Sequence, residues 1–211
     1  MEYWTEYTRF FTALFVILDP FAAIPIFLSL TQGYSQAERM RASRTAAATV
    51  AIVLITAALL GESLLHLLGA SLPSFRVGGG MVLLLMAFAM LRAQPDLLRT
   101  THSETAAAES KQSIAVVPIA IPLLAGPGAI STVIIQIHRP GAPYHHALVI
   151  AIILVVALLL WSVLRLASPI GTALGPIGLS ILNRLFGLIL TAIAVEIMAN
   201  GLRQLFPVLA G

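Results

Sequence analysis

Residues 121–132 read Ile121-Pro-Leu-Leu-Ala-Gly-Pro-Gly-Ala-Ile-Ser-Thr132, and they lie in a run from Ser113 to Ile137 that holds no charged residue. Such a run is long enough to cross a bilayer, where an unbonded backbone group costs several kcal/mol. Yet Pro122, Gly126, Pro127 and Gly128 are residues that stop a helix. Broken backbone at membrane depth is tolerated only where it is buried in protein or lines a wet cavity. A membrane protein that interrupts a helix here is expected to use the interruption.

Working outward, the first apolar run carries a second copy. Pro20-Phe21-Ala22-Ala23-Ile24-Pro25 and Pro122-Leu123-Leu124-Ala125-Gly126-Pro127 share the spacing Pro-x4-Pro, and each is followed four residues later by a serine, Ser29 or Ser131. Arg76-x-x-Gly79 and Arg184-x-x-Gly187 repeat in the same order, each opening an apolar run. The offsets, 102 residues for the prolines and 108 for the arginines, are about half of the 211-residue chain. They predict a duplicated unit.

The environment follows from composition: 59% hydrophobic residues, 10% charged and a mean hydropathy of +0.97. A soluble domain carries about 25% charged residues, so the chain reads as an all-α, polytopic membrane protein. It has no cysteine, which excludes disulfides and thiol chemistry. The segment Met1–Arg9 lacks a basic region before its apolar run and reads as something other than a cleaved signal. Tyr3, Trp4 and Tyr7 suit an interface.

Six spans are expected: Phe10–Thr31, Thr45–Leu68, Phe75–Leu91, Ser113–Ile137, Ala147–Leu164 and Leu182–Phe206. The third is short enough that Arg76 and Arg92 would have to snorkel. Eight of the twelve Lys and Arg residues fall in the connections 1–2, 3–4 and 5–6, which places both termini outside. Three spans per unit is an odd number, so the halves, repeat one 1–93 and repeat two 113–211, insert upside down relative to each other. The polar segment 94–112 becomes a cytoplasmic linker, where Thr101-His-Ser-Glu104 would cap a short helix, although a flexible loop fits equally. Inverted repeats with discontinuous helices, here 1 and 4, are an architecture of secondary transporters.

Asp19 lies nine residues into the first span, ~14 Å by helix rise. A carboxylate at that depth is a functional candidate, while Asp before Pro is also an N-cap and N1 pair that restarts a helix; the two roles can coexist. Pro25 and Pro127 suit the first turns of second half-helices, whose free N–H groups would hold a substrate carboxylate. The candidate substrate-binding set is Asp19, Pro20, Phe21, Ala22, Ala23, Pro25 and Ser29 with Ala125, Gly126, Pro127, Gly128, Ser131 and Thr132. The small residues leave a pocket for a small zwitterion; the alternative is that they only let helices pack closely.

Asp19, Glu62 and Glu196 are the ion-coupling candidates, for protons or sodium. Glu62 with His66, and Glu196 with Asn200, stand at i, i+4 near the outer ends of spans 2 and 6, where an interfacial pair is the other reading. Gly78-Gly79-Gly80 reads as a close helix contact. His138, His145 and His146 read as an outside loop cluster, and Pro140–Pro143 as a tight turn. No metal site, cofactor or nucleic-acid partner is indicated, and no catalytic signature such as His-Glu-x-x-His is present, so the chain is not expected to be an enzyme.

On these residues the chain resembles the MarC family, also described as small neutral amino acid transporters. The resemblance is carried by FVILDPFAAIPIFLSLT (15–31), Ala37-Glu38-Arg39, FRVGGGMVLLLMAFAML (75–91), VPIAIPLLAGPGAIST (117–132) and NRLFGLILTAIAVEIMANG (183–201). It implies a six-span inner-membrane protein with inverted repeats that transports glycine- or alanine-like substrates. Ala22 and Ala23 stand where many members have Gly and Asn, which removes one polar side chain here. A passive channel and a non-transporting accessory protein are the alternatives.

Overall fold

The computed structural model describes residues 2–31, 33–67, 69–92, 125–139 and 143–210. These form helices α1 (Glu2–Leu18), α2 (Ala23–Leu30), α3 (Gln36–Leu67), α4 (Leu72–Leu91), α5 (Pro127–Ile137), α6 (His145–Arg165) and α7 (Ala167–Leu205), with a short 3-10 turn at Pro207–Ala210. No strand occurs among the described residues. Four stretches are long and apolar enough to cross a membrane: Gln36–Leu65, Leu72–Leu91, His145–Arg165 and Ala167–Leu205. The expected first span is divided between α1 and α2, and the expected fourth is described only from Ala125 onward.

Several helix boundaries have a local cause. α3 starts at a reciprocal capping box: Glu38 N–H donates to Ser35 Oγ, while Ser35 N–H and Oγ–H both donate to Glu38 Oε2 at 2.8 and 2.7 Å. That cap extends α3 nine residues ahead of the expected Thr45 start, through the basic segment Gln36–Arg44. Ser71 caps α4, accepting from Ser74 N–H, with a proline in the first turn. The expected sixth span, from Leu182, is a longer helix that starts at Ala167 and breaks at Gly175 (φ 60°, ψ 178°), beyond which Pro176 restarts it. That backbone region is essentially glycine-only.

α4 lies along α7 and α3 along α6; α5 packs between α3 and α4, and α1 touches α5, α6 and α7. Close approach of α4 to its neighbours depends on two of the three consecutive glycines. A Cβ on Gly79 would lie 2.7 Å from Ser131 Cβ and Oγ, and one on Gly80 would lie 2.5 Å from Met198 Cγ. Gly78 faces open space. The core runs through Leu14, Ile17, Val50, Leu54, Leu83, Ala129, Ile153, Leu160 and Leu190, all enclosed. Outside it, Leu59, Leu60 and Leu64 on α3, Leu154 and Leu158 on α6 and Leu185 and Leu188 on α7 are exposed. So much apolar surface facing outward is an aggregation liability in water and a lipid-facing surface in a bilayer.

Two sequence expectations change here. Arg76, expected to reach out along its stem, packs that stem inside the bundle and is 8% exposed, whereas Arg92 is exposed. His145 is no loop residue but the first residue of α6, 4% exposed. The linker 94–112, its Thr101–Glu104 cap and positions 140–142 of the expected turn lie outside the described residues.

Candidate functional site

The first helix is interrupted at Asp19-Pro20-Phe21-Ala22. Asp19 closes α1 and opens the next segment. Its N–H donates to the Phe15 carbonyl (3.1 Å), as the last turn of α1 requires, and its own carbonyl accepts from Ala23 N–H (3.3 Å). Its side chain reaches forward, Oδ1 accepting from Ala22 N–H at 3.2 Å. The backbone at Asp19 has φ 44°, the sole left-handed non-glycine residue among those described. A left-handed residue ends helices, and a side-chain oxygen caps their starts. Glycine supplies the first without the second; Asp and Asn supply both, with only a modest strain cost.

The depth of this break can be read from a contact at the other end of α1. Tyr7 O–H lies 2.8 Å from His145 Nδ1, and His145 Nε2 lies 2.9 Å from the Gln136 carbonyl. A carbonyl only accepts, so Nε2 donates to it; Nδ1 of the neutral ring then accepts from Tyr7. This ties the N-terminal part of α1 to the first residue of α6. Asp19 is twelve residues beyond Tyr7, ~18 Å by helix rise, in a bundle whose α6 is ~31 Å long. The carboxyl group, fully enclosed at 0% exposure, therefore sits well inside the apolar slab.

Around it, Pro20 and Ala23 are buried and Phe21 and Ala22 half-buried, while Pro25 is exposed. Phe21 makes edge contacts with Phe15 of α1 (6.4 Å between centroids) and Phe186 of α7 (5.8 Å), and those two rings meet at 6.1 Å. Ser29 belongs to α2, and nothing is described of its side chain. At the C-terminal end of α2, Arg39 donates to the Thr31 carbonyl (3.3 Å) and to Ser168 Oγ on α7 (2.9 Å). A cation on the last carbonyls of a helix is favoured by the helix dipole.

The second element begins where expected. Gly126 (φ −61°, ψ 171°) precedes α5, whose first residue is Pro127; a proline there gives up an N–H that has no helical partner anyway. Ala125, Gly126, Gly128, Ser131 and Thr132 are all buried. A Cβ on Gly128 would collide with Leu83 of α4. Ala125 and Ala129 join Ile17, Leu18 and Ala23 in one continuous buried cluster, so the start of α5 and the break after α1 belong to the same core. The hydroxyls of Thr31 and Thr132 donate to the carbonyls four residues back, Phe27 and Gly128, at 2.7 and 2.9 Å. Each oxygen can still accept.

The other two carboxylates stand apart from this cluster. Glu62 is exposed and pairs with His138 Nε2 at 2.9 Å, linking α3 to the end of α5. Glu196 is exposed and accepts from Asn200 Nδ2 at 3.0 Å. Among the described residues no group of His, Cys, Asp and Glu is arranged to hold a metal ion. A groove of about 320 Å³ follows Pro176, Ile177, Ser180, Ile181 and Arg184 beside the α7 kink; it is lined by α7, not by the break. The sequence reading gave Phe186, Arg39 and Gln136 no place at the site, and it set Tyr7 at an interface and His145 in a loop without joining them.

Apolar outer faces, membrane-length helices and a buried carboxyl at a helix break define a helical integral membrane protein. Comparison with known sequences narrows the class, since residues 4–206 match the family described as MarC family integral membrane protein. The chain belongs to the MarC family. It is 34% identical over 206 residues to the UPF0056 membrane protein YhcE of Escherichia coli K12, covering 95% of this chain and 94% of the relative. A UPF0056 membrane protein of Methanocaldococcus jannaschii is 37% identical over 193 residues (92% and 94%), and YvbG of Bacillus subtilis 168 is 33% identical over 201 residues (94% and 95%). No solved structure matches the chain.

Proposed function

We propose that this protein is a secondary transporter of small neutral amino acids, glycine- or alanine-like, in the inner membrane. The observation that carries the reading is Asp19: a carboxyl group with no exposed surface, at a left-handed break in an apolar helix. Intramembrane ionisable groups are expensive and are retained where ions or substrates pass. Substrate carboxylate is held by the free N–H groups at the start of α5, and its ammonium group by Asp19 and the carbonyls freed at the first break. The small residues Ala22, Ala23 and Ala125 beside these groups suit a substrate with a small side chain.

The architecture proposed for this activity is six spans as two inverted repeats, both termini outside and helices 1 and 4 discontinuous. Supporting it are the paired motifs Pro-x4-Pro and Arg-x-x-Gly, and the pairing of α3 with α6 and of α4 with α7. Proton or sodium movement through Asp19 drives uptake; Glu62 and Glu196, being exposed, are the weaker coupling candidates. No enzymatic step is part of the mechanism.

The test is uptake of labelled glycine and alanine into liposomes holding the purified protein, with and without imposed proton or sodium gradients. Saturable, competable flux is expected, lost in Asp19→Asn. Flux that never saturates, or none under any gradient, would sink the proposal.

A further inference from the structure

On the side of α7 turned away from the bundle, Glu196 and Asn200 form a polar pair. Glu196 Oε1 accepts from Asn200 Nδ2 at 3.0 Å. Among the described residues nothing else bonds either side chain, so Glu196 Oε2, the Asn200 carbonyl and its second N–H are open. Glu196 is exposed and Asn200 half-buried. Leu185, Ile189 and Val195 around them are exposed as well, while Leu190, Ala194 and Gly201, the side of α7 that meets the core, are buried. The pair therefore stands on an apolar, outward-facing surface.

Its level is fixed by α4. A Cβ on Gly80 would lie 3.0 Å from the Ala194 carbonyl and 3.2 Å from Met198 N. Glu196 is thus level with Gly80, eight residues past the start of α4 at Leu72, ~12 Å by helix rise. α4 itself has 20 residues, ~30 Å, which matches the hydrocarbon thickness of a bilayer. Helical side chains lean toward the N-terminus, which brings the tip of Asn200 to the same level as Glu196. The pair lies within the apolar slab and not at its edge.

Open polar groups facing lipid are costly, and polar side chains in membrane spans bond across helices. The lipid-facing α6, by contrast, has no polar side chain between Ala147 and Leu160. A second copy of this chain supplies what the pair lacks. Two copies inserted the same way meet about a two-fold axis, each residue facing its own equivalent. Asn200 of each then donates its second N–H to Glu196 Oε2 of the other. The surrounding pattern fits the same occupant. Leu185, Ile189, Ala192, Glu196 and Ala199 are spaced alternately by four and three residues, the repeat of parallel helix pairs, with alanines where backbones approach.

We propose that this face of α7 is a homodimer interface, in which the Glu196–Asn200 pairs of two copies bond to each other within the membrane. The interface is separate from Asp19 and stands whether or not the protein transports amino acids.

The chain has no cysteine, so a single introduced thiol reports a single contact. Ala192→Cys and Ala199→Cys, oxidised in the full-length protein in its membrane, are expected to give a disulfide-linked dimer, which needs Cα atoms within ~7 Å. Leu154→Cys, on the exposed face of α6, should stay monomeric. Energy transfer between donor- and acceptor-tagged chains in liposomes, followed as lipid dilutes the protein, gives the dissociation constant. Glu196→Leu or Asn200→Leu should raise it about tenfold or more, since each removes two symmetric hydrogen bonds. Glu196→Gln keeps an acceptor at that place and should leave it nearly unchanged. Leucine suits a lipid-facing position, so melts of both leucine variants as detergent-held monomers should stay level with wild type. Chains that remain monomeric, thiols that link at residue 154 and not at 192 or 199, or a dissociation constant that neither leucine variant moves, overturn the proposal.

Discussion

Replacing Asp19 separates three duties that one side chain performs. Asp19→Ala removes the Oδ1 that accepts from Ala22 N–H, an N-cap loss of about 1 kcal/mol. It also forces a side chain with no polar group to hold φ 44°, which costs about 1–2 kcal/mol. The sum, about 2–3 kcal/mol, corresponds to a fall in Tm of about 4–12 °C for a chain of this size. Asp19→Gly relieves the backbone and loses only a few tenths of a kcal/mol as a cap, so it should melt above Asp19→Ala despite glycine's weaker helix propensity. Asp19→Asn keeps both the acceptor and the tolerance of left-handed backbone, and should stay within about 0.5 kcal/mol of wild type, while losing the charge. Circular dichroism melts of the four proteins in one detergent give the ranking. Alanine melting level with glycine would refute the backbone argument. Asparagine melting as low as alanine would show that the fold needs the carboxylate charge and not the cap.

Other outcomes follow from single contacts. Gly79→Ala and Gly80→Ala each push a methyl group into a neighbouring helix and should cost about 1–3 kcal/mol by overpacking, whereas Gly78→Ala should be neutral or stabilising by up to about 1 kcal/mol; the same melts compare all three. Tyr7→Phe leaves buried His145 Nδ1 without the hydroxyl that now donates to it, and should lower stability by about 1–3 kcal/mol. Arg39→Met removes the links from α3 to the Thr31 carbonyl and to Ser168. It should speed amide exchange selectively in α2, with α3 unchanged, as read by hydrogen–deuterium exchange; uniform acceleration of both would show that the contact does not tether α2.

How much of this could be read in advance depends on whether the cause is local. The break at Asp19 is legible because Asp-Pro and Pro25 are neighbours whose backbone limits are known without any partner. The start of α5 at Pro127 is legible for the same reason. His145 reads as a loop residue because it follows Pro140 and Pro143, yet its burial is decided by Tyr7, 138 residues away. Phe186 is one apolar residue among many in an apolar run; only its meeting with Phe15 and Phe21 gives it a position at the break. The segment 167–174 looks like a connection because it holds Ser168, Pro169, Gly171 and Thr172. Packing of Gly171 against Leu28 and Ile24 of α2 accompanies its helical form, a tertiary effect that no window of sequence contains.

The three phenylalanines also bear on how α2 can travel. Phe21 is mounted on the interruption and touches one ring ahead of it and one across from it, contacts worth about 0.5–1.5 kcal/mol each beyond the area they cover. Swinging the short helix releases both together, and partway along the arc Phe21 rests on neither. A pivot seated this way has detents, not a continuum, because packed interiors offer discrete arrangements. On the proposed transport reading, the half-helix would therefore click from stop to stop.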